Sequence, residues 1–216
     1  MIRDIENGAR APRIDEGAYV DPSAEVIGEV TIGAGSSVWP LTIVRGDQSW
    51  VRIGRNSNVQ DNCVVRVAPG IPCVIGDNVT IGHRAVVHAC TVMNNSRIGI
   101  GAIVLDGAVV EEGAQVGAGA LVPPGKVVPS GWLVMGVPAK PVRQMNQDEL
   151  DDIMRNAQEY VELWQSNFGR RIEERHGSET GPGSPRDRRA RGVKGPLRPL
   201  SDQSGHVGAP HSREAQ

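Results

Sequence analysis

The sequence predicts an all-β solenoid, a parallel β-helix followed by one amphipathic helix and a polar tail. Three observations carry that expectation. Ile or Val returns at every sixth residue through most of the chain, the position four residues beyond each anchor is mostly small, and aromatics make up only 3% of the residues. A six-residue period suits neither a 3.6-residue helix nor one long alternating strand, but it fits a short strand plus a turn, repeated. With a single Phe in 216 residues, the core has to be built from small branched side chains. A chain of this length buries such a core without covalent staples.

The anchors run through Ile14, Val20, Val26, Ile32, Val38 and Val44, then after a nine-residue step through Ile53, Val59 and Val65. A ten-residue step leads to Ile75, Ile81 and Val87, and a short one to Val92. Ile98, Val104, Val110, Val116, Val122, Val128 and Val134 complete the set. β-Branched residues favour the strand between turns, and this is the hexapeptide pattern of a parallel β-helix. With three hexads per coil, residues 71 to 74 form a corner insertion. Val44, Val65, Val87 and Val104 then stack on one face, about one strand spacing (~4.8 Å) apart. The repeat domain is expected over residues 1–141.

Past Pro141 the period becomes helical. Asn146 with Glu149 reads as a capping box. Leu150, Ile153, Ala157, Tyr160, Val161, Trp164 and Phe168 trace one apolar face, so a helix over 146–176 is expected to pack along the solenoid. Its many acids argue against a membrane-surface helix. Residues 177–216 are rich in Gly and Pro, without apolar periodicity, and read as a disordered tail. The Arg186–Arg191 run is read as solvated chain, and His206 and His211 are assigned no role.

Composition excludes several classes. Lys plus Arg total 23 and Asp plus Glu 25, which leaves no global positive field to gather nucleic acid. No stretch approaches the length of a membrane span and the first residues carry no apolar run, so a cytoplasmic protein is expected. Cys63, Cys73 and Cys90 show no paired spacing and read as small core thiols.

His83 and His88, five apart inside the repeat, invite a metal hypothesis. They fall on different faces of the prism, so one chain does not bring both to one ion, whereas neighbouring subunits can. From the spacing alone, two partly buried histidines making structural hydrogen bonds at a subunit contact is the better reading. Arg66 and His88 occupy equivalent positions in successive coils, and Arg66 also stacks near Arg45.

Arg45-Gly46-Asp47, Asn58-Val59-Gln60-Asp61, Ile81-Gly82-His83, Val87-His88-Ala89-Cys90, Ile103 to Ala108 and Gly136 to Lys140 together resemble the gamma-class carbonic anhydrase family, over roughly residues 10 to 170. The resemblance implies a left-handed β-helix, a homotrimer, and a metal, usually zinc, held between subunits by three histidines. His83 and His88 match two ligand positions. Where the family's first histidine is expected, this chain has Arg66, which offers only donors and a fixed positive charge. By the same resemblance Gln60 would orient a metal-bound hydroxide, Asp61 would support Gln60 or the histidines, and Arg45 would pair with Asp47.

Three functions are weighed on this basis. One is metal-assisted hydration of carbon dioxide, or a related hydration or hydrolysis. Another is a catalytically degenerate trimeric scaffold or small-anion binder, with Arg66 and Asp47 at the ligand. The last is a hexapeptide-type acyltransferase, for which no added CoA-site signature is evident.

Overall fold

The computed structural model describes residues 1–176, with side chains through residue 168. Every anchor enters a parallel ladder. Val26, Val44, Val65, Val87, Val104 and Val122 stack in one column. Ile14, Ile32, Ile53, Ile75, Val92, Val110 and Val128 form a second. Val20, Val38, Val59, Ile81, Ile98, Val116 and Val134 form the third. The chain is thus a three-faced parallel β-solenoid, and only Ile14 and Val20, in the first coil, are less than fully buried.

The small positions fill the corners. Ala24, Ser36, Cys63, Ala85, Ala102, Ala108 and Ala114 are completely buried, which is why small residues predominate there. Coils approach so closely that a Cβ on Gly99 would lie 2.5 Å from the Ala118 nitrogen in the next coil.

Two irregular steps shape the surface. In the nine-residue step, the strand Ile43–Ile53 runs round a corner beside Glu25–Ile32. The register jumps from Gly28↔Gly46 to Val30↔Val51, so Asp47 to Trp50 bulge out of the coil. The ten-residue step corrects the expected placement of the corner insertion. Cys73 and Val74, assigned above to a 71–74 corner, already lie in the strand Cys73–Ile75 and pair with Val51 and Arg52. The excursion instead turns at Ala68–Ile71, whose backbones exchange hydrogen bonds at 3.2 and 3.0 Å around Gly70. Buried Val67 pins its start.

The strand Lys140–Gln144 pairs antiparallel with Trp132–Met135 and ends the parallel stack. The helix Gln147–His176 follows. Asn146 Oδ1 accepts from the Glu149 N–H at 2.9 Å and Glu149 Oε2 accepts from the Asn146 N–H at 3.0 Å, a complete capping box. Ile153, Ala157, Val161 and Trp164 are buried against the column that carries Val38, Val59 and Ile81. Five of the seven aromatics therefore sit at this seam and not in the prism. Tyr19, Trp39, Tyr160, Trp164 and Phe168 meet edge-on or stacked, and Trp164 Nε1–H donates to the Gly35 carbonyl at 3.1 Å.

No helix among the described residues is long and apolar enough to cross a membrane. The expected tail at 177–216, with Arg186–Arg191, His206 and His211, lies outside the described residues.

Candidate functional site

Strand register builds the first group of polar residues. Arg45 pairs with Arg66 and Arg66 with His88, so three cationic or basic side chains line up across successive coils on one face. The bulge after Arg45 returns Asp47 to this column. Asp47 Oδ2 lies 3.4 Å from Arg45 Nε and 3.8 Å from Arg66 Nη2. One carboxylate thus faces two guanidiniums. Arg45 Nε, Arg66 Nε and Asp47 Oδ1 are buried without a hydrogen-bond partner among the described residues. Leaving such atoms unmade costs on the order of 1–3 kcal/mol each. His88 Nδ1 meets Asp106 Oδ1 at 2.5 Å. An ionised carboxylate can only accept, so the ring donates Nδ1–H and keeps Nε2 for another partner.

The second group occupies the corner after Thr80–Ile81, on the edge of the helix-covered sheet. Gln60 Oε1 accepts from the His83 backbone N–H at 3.1 Å, and His83 Nδ1 lies 2.9 Å from Asp61 Oδ2. His83 therefore also keeps Nε2 free of its carboxylate partner. Gln60 is almost fully buried, while His83 and Asp61 are partly exposed.

Within one chain the predicted residues form these two groups and not one. Arg45, Asp47, Arg66 and His88 are together, and Gln60, Asp61 and His83 are together. Among the described residues no three His, Cys, Asp or Glu side chains gather as a metal-binding group. The thiols are shielded. Burial pushes Cys63 up to about 12, and a hydrogen bond with Cys73 together with burial raises Cys90 well above the ordinary thiol range. Trp50 is exposed. Burial, followed by the nearby charges of Asp61 and Glu159, raises Tyr160 on the helix, so its phenol stays protonated beside the second group.

Sequence reasoning missed several contributors. Asp106 holds the His88 ring; it lay within the Ile103 to Ala108 motif and one coil on, just past the residue stacked over His88, but was given no role. Asn58, Thr80 and Asn156 were missed too. Asn58 and Thr80 are outward positions on their strands, yet both are buried beneath the helix. Asn58 Nδ2 donates to Thr80 Oγ1 at 2.9 Å, and Thr80 Oγ1 donates to Asn156 Oδ1 at 3.2 Å. Outward polar residues of a strand ordinarily read as solvated, and only the docked helix reverses that.

No family model matches the chain. Gamma carbonic anhydrase 2, mitochondrial, of Arabidopsis thaliana is 44% identical over 162 residues, which cover 72% of this chain and 58% of that protein. The chain thus spans less than two thirds of this plant relative. A carbonic anhydrase of Geobacillus kaustophilus is 42% identical over 156 residues, covering 72% of this chain and 86% of the relative. Among solved structures, a Bacillus cereus protein described as an acetyltransferase superposes with a TM-score of 0.75 at 38% identity, covering 77% of this chain and 95% of the other. Sequence identity of this extent, on a solenoid whose polar columns carry the Arg-Gly-Asp, Gln-Asp and paired-histidine motifs, places the chain in the gamma-class carbonic anhydrase family.

Proposed function

We propose that this chain is a homotrimer that binds a small oxyanion, bicarbonate being the model ligand, where the Arg45–Arg66–His88 column of one subunit meets the Gln60–Asp61–His83 corner of the next. The observation that carries the reading is the pair of guanidiniums around Asp47, with Arg45 Nε, Arg66 Nε and Asp47 Oδ1 buried and making no hydrogen bond among the described residues. Two guanidiniums against the Asp47 carboxylate leave a charge of +1 at this end of the column, while Asp106 and Asp61 are held against the two histidines. A guanidinium edge matches a planar oxyanion in a two-point hydrogen bond. Self-association is supported by the outward neighbours of the same face. Ile43, Val64, Val86, Ile103 and Leu121 form a continuous apolar column in register with one another. The helix packs on a different face.

The metal implied by the resemblance does not fit this donor set as a three-histidine site. Arg66 stands at the expected position of the first imidazole, has no lone pair to give, and repels a cation. A second reading, carbon dioxide hydration at a metal held by two imidazoles, is favoured by one observation: His83 and His88 each have Nδ1 fixed by a carboxylate, the arrangement that orients metal-binding imidazoles. Acyl transfer is supported by the description of the Bacillus cereus relative and by no geometry among the described residues.

The site is about one-third exposed at Arg66, so solvent screens it and a dissociation constant on the order of millimolar is expected. Titration of bicarbonate into chelator-treated protein, followed by calorimetry, tests this. Arg66→Ala should weaken binding about tenfold or more, the loss of a charge-assisted hydrogen bond. Binding that is unchanged in Arg66→Ala, or that appears only with added zinc, would overturn the oxyanion reading.

A further inference from the structure

The buried polar chain beneath the helix runs in one direction, and that direction is dictated from one end. A backbone N–H can only donate, so the oxygen of the Gln60 amide must be the atom facing the His83 N–H. This turns Nε2 toward Asn58, where it donates to Oδ1 at 3.2 Å. Asn58 has then used its oxygen, and its nitrogen donates to Thr80 Oγ1. The Thr80 hydroxyl, having accepted, spends its proton on Asn156 Oδ1. Asn58, Gln60 and Thr80 are 1%, 5% and 3% exposed, so their polar groups rely mainly on one another, although Gln60, Thr80 and Asn156 also border an open pocket. Each link accepts once and donates once, and the last link must be an acceptor on the helix.

We infer that Asn156 is a positioning residue for Gln60: its side-chain oxygen, acting through Thr80 and Asn58, holds the Gln60 amide with its oxygen toward the protein and its second Nε2 hydrogen as the group presented to a bound ligand. This makes the C-terminal helix part of the site. Gln60 offers an N–H, which suits an oxyanion's lone pairs and complements Arg66 in the reading above, on which the ligand assignment rests. Removing the acceptor at 156 leaves the Thr80 proton unpaired in a buried place, and a reversal of the whole chain would set the Gln60 amide nitrogen against the His83 N–H. The original orientation then persists only at the cost of that unpaired proton, and the hold on the Gln60 amide and on the His83 N–H weakens.

The experiment is hydrogen–deuterium exchange of the full-length assembled protein, read by mass spectrometry on peptides that isolate the His83 amide. It needs no ligand, so its failure is distinguishable from failure of the oxyanion reading. Asn156→Leu keeps the bulk of the side chain and removes the acceptor. It should speed His83 exchange about tenfold, the equivalent of roughly 1.4 kcal/mol of lost hydrogen bonding. Thr80→Val, nearly isosteric, should do the same and serves where Asn156→Leu does not fold. Asn156→Asp restores an oxygen and should return exchange to within about twofold of the parent. A peptide reporting the Gly99 amide, bonded to the Val116 carbonyl at 2.7 Å and outside this chain, should not change. Unaltered His83 exchange in both acceptor-loss variants overturns the inference, as do an Asn156→Asp variant that exchanges as fast as Asn156→Leu and an equal rise at Gly99.

Discussion

Gly99 offers a direct test of coil stacking. An alanine Cβ there would lie 2.5 Å from Ala118 N, 2.7 Å from Gly117 C and 2.8 Å from Val116 O, all backbone atoms of the next coil. Reaching ordinary contact requires the coils to part by roughly 1 Å against a strand spacing of about 4.8 Å. The opening strains the Gly99 N–H to Val116 carbonyl bond, now 2.7 Å. Overpacking of this kind costs about 1–3 kcal/mol, and each interstrand hydrogen bond weakened adds about 1 kcal/mol. A total near 3 kcal/mol or more is expected for Gly99→Ala. Gly101 is the control, because nothing lies within 4 Å of its added Cβ and only its φ of +67° resists substitution. Gly101→Ala should cost about 1–2 kcal/mol, the left-handed penalty alone. Urea unfolding at one fixed protein concentration, with m compared across variants, measures both. If Gly99→Ala costs no more than Gly101→Ala, the contact between coils is looser than described and the reasoning fails.

Other consequences are simpler to check. A hydrogen bond from Arg143 is the main reason Glu149 is held down to about 2 from 4.5. Because the folded value is the lower one, the stability it contributes is fully present above about 4.5 and is lost as pH falls toward 2. Helix ellipticity of the parent should decline more steeply over that window than that of Glu149→Gln, and equal slopes would remove the cap from the account. All three cysteines are buried, so the native protein should show essentially no rapid reaction with a disulfide reagent near pH 8, and full reaction once unfolded; a fast thiol in the native state would contradict that burial. Trp164→Ala should cost about 3–5 kcal/mol, the range for a buried large aromatic. It should also collapse the near-ultraviolet circular dichroism of the aromatic seam, and a small, purely local loss would mean that the helix is held elsewhere.

The solenoid was legible because a six-residue period ties every coil to the same few constraints. An anchor must be β-branched and inward, and its corner must be small, so Val87 announces Val65 and Val104 without any three-dimensional information. The step from Val65 to Ile75 was less legible. Counting alone cannot say where ten residues leave the coil, and the Ala68–Ile71 turn was fixed by local backbone pairing. The Arg45–Arg66–His88 alignment followed from the frame, since stacking is arithmetic once the coil length is known. Asp106 and Asn156 did not follow from it. Asp106 reaches His88 across coils through a side-chain conformation, and Asn156 depends on how a helix some 76 residues from Thr80 in sequence docks on the sheet. Such contacts leave no period in the chain.

The most direct test of the central claim, that Arg66 turns an inherited metal position into an anion-binding one, is the zinc content of the untagged assembled protein and of Arg66→His, prepared side by side and measured by elemental analysis. The account predicts well below one zinc per subunit in the parent and close to one in Arg66→His, with that metal lost again when His83→Ala is added. About one zinc per subunit in the parent, lost with His83→Ala alone, would contradict it and return the site to metal-assisted hydration.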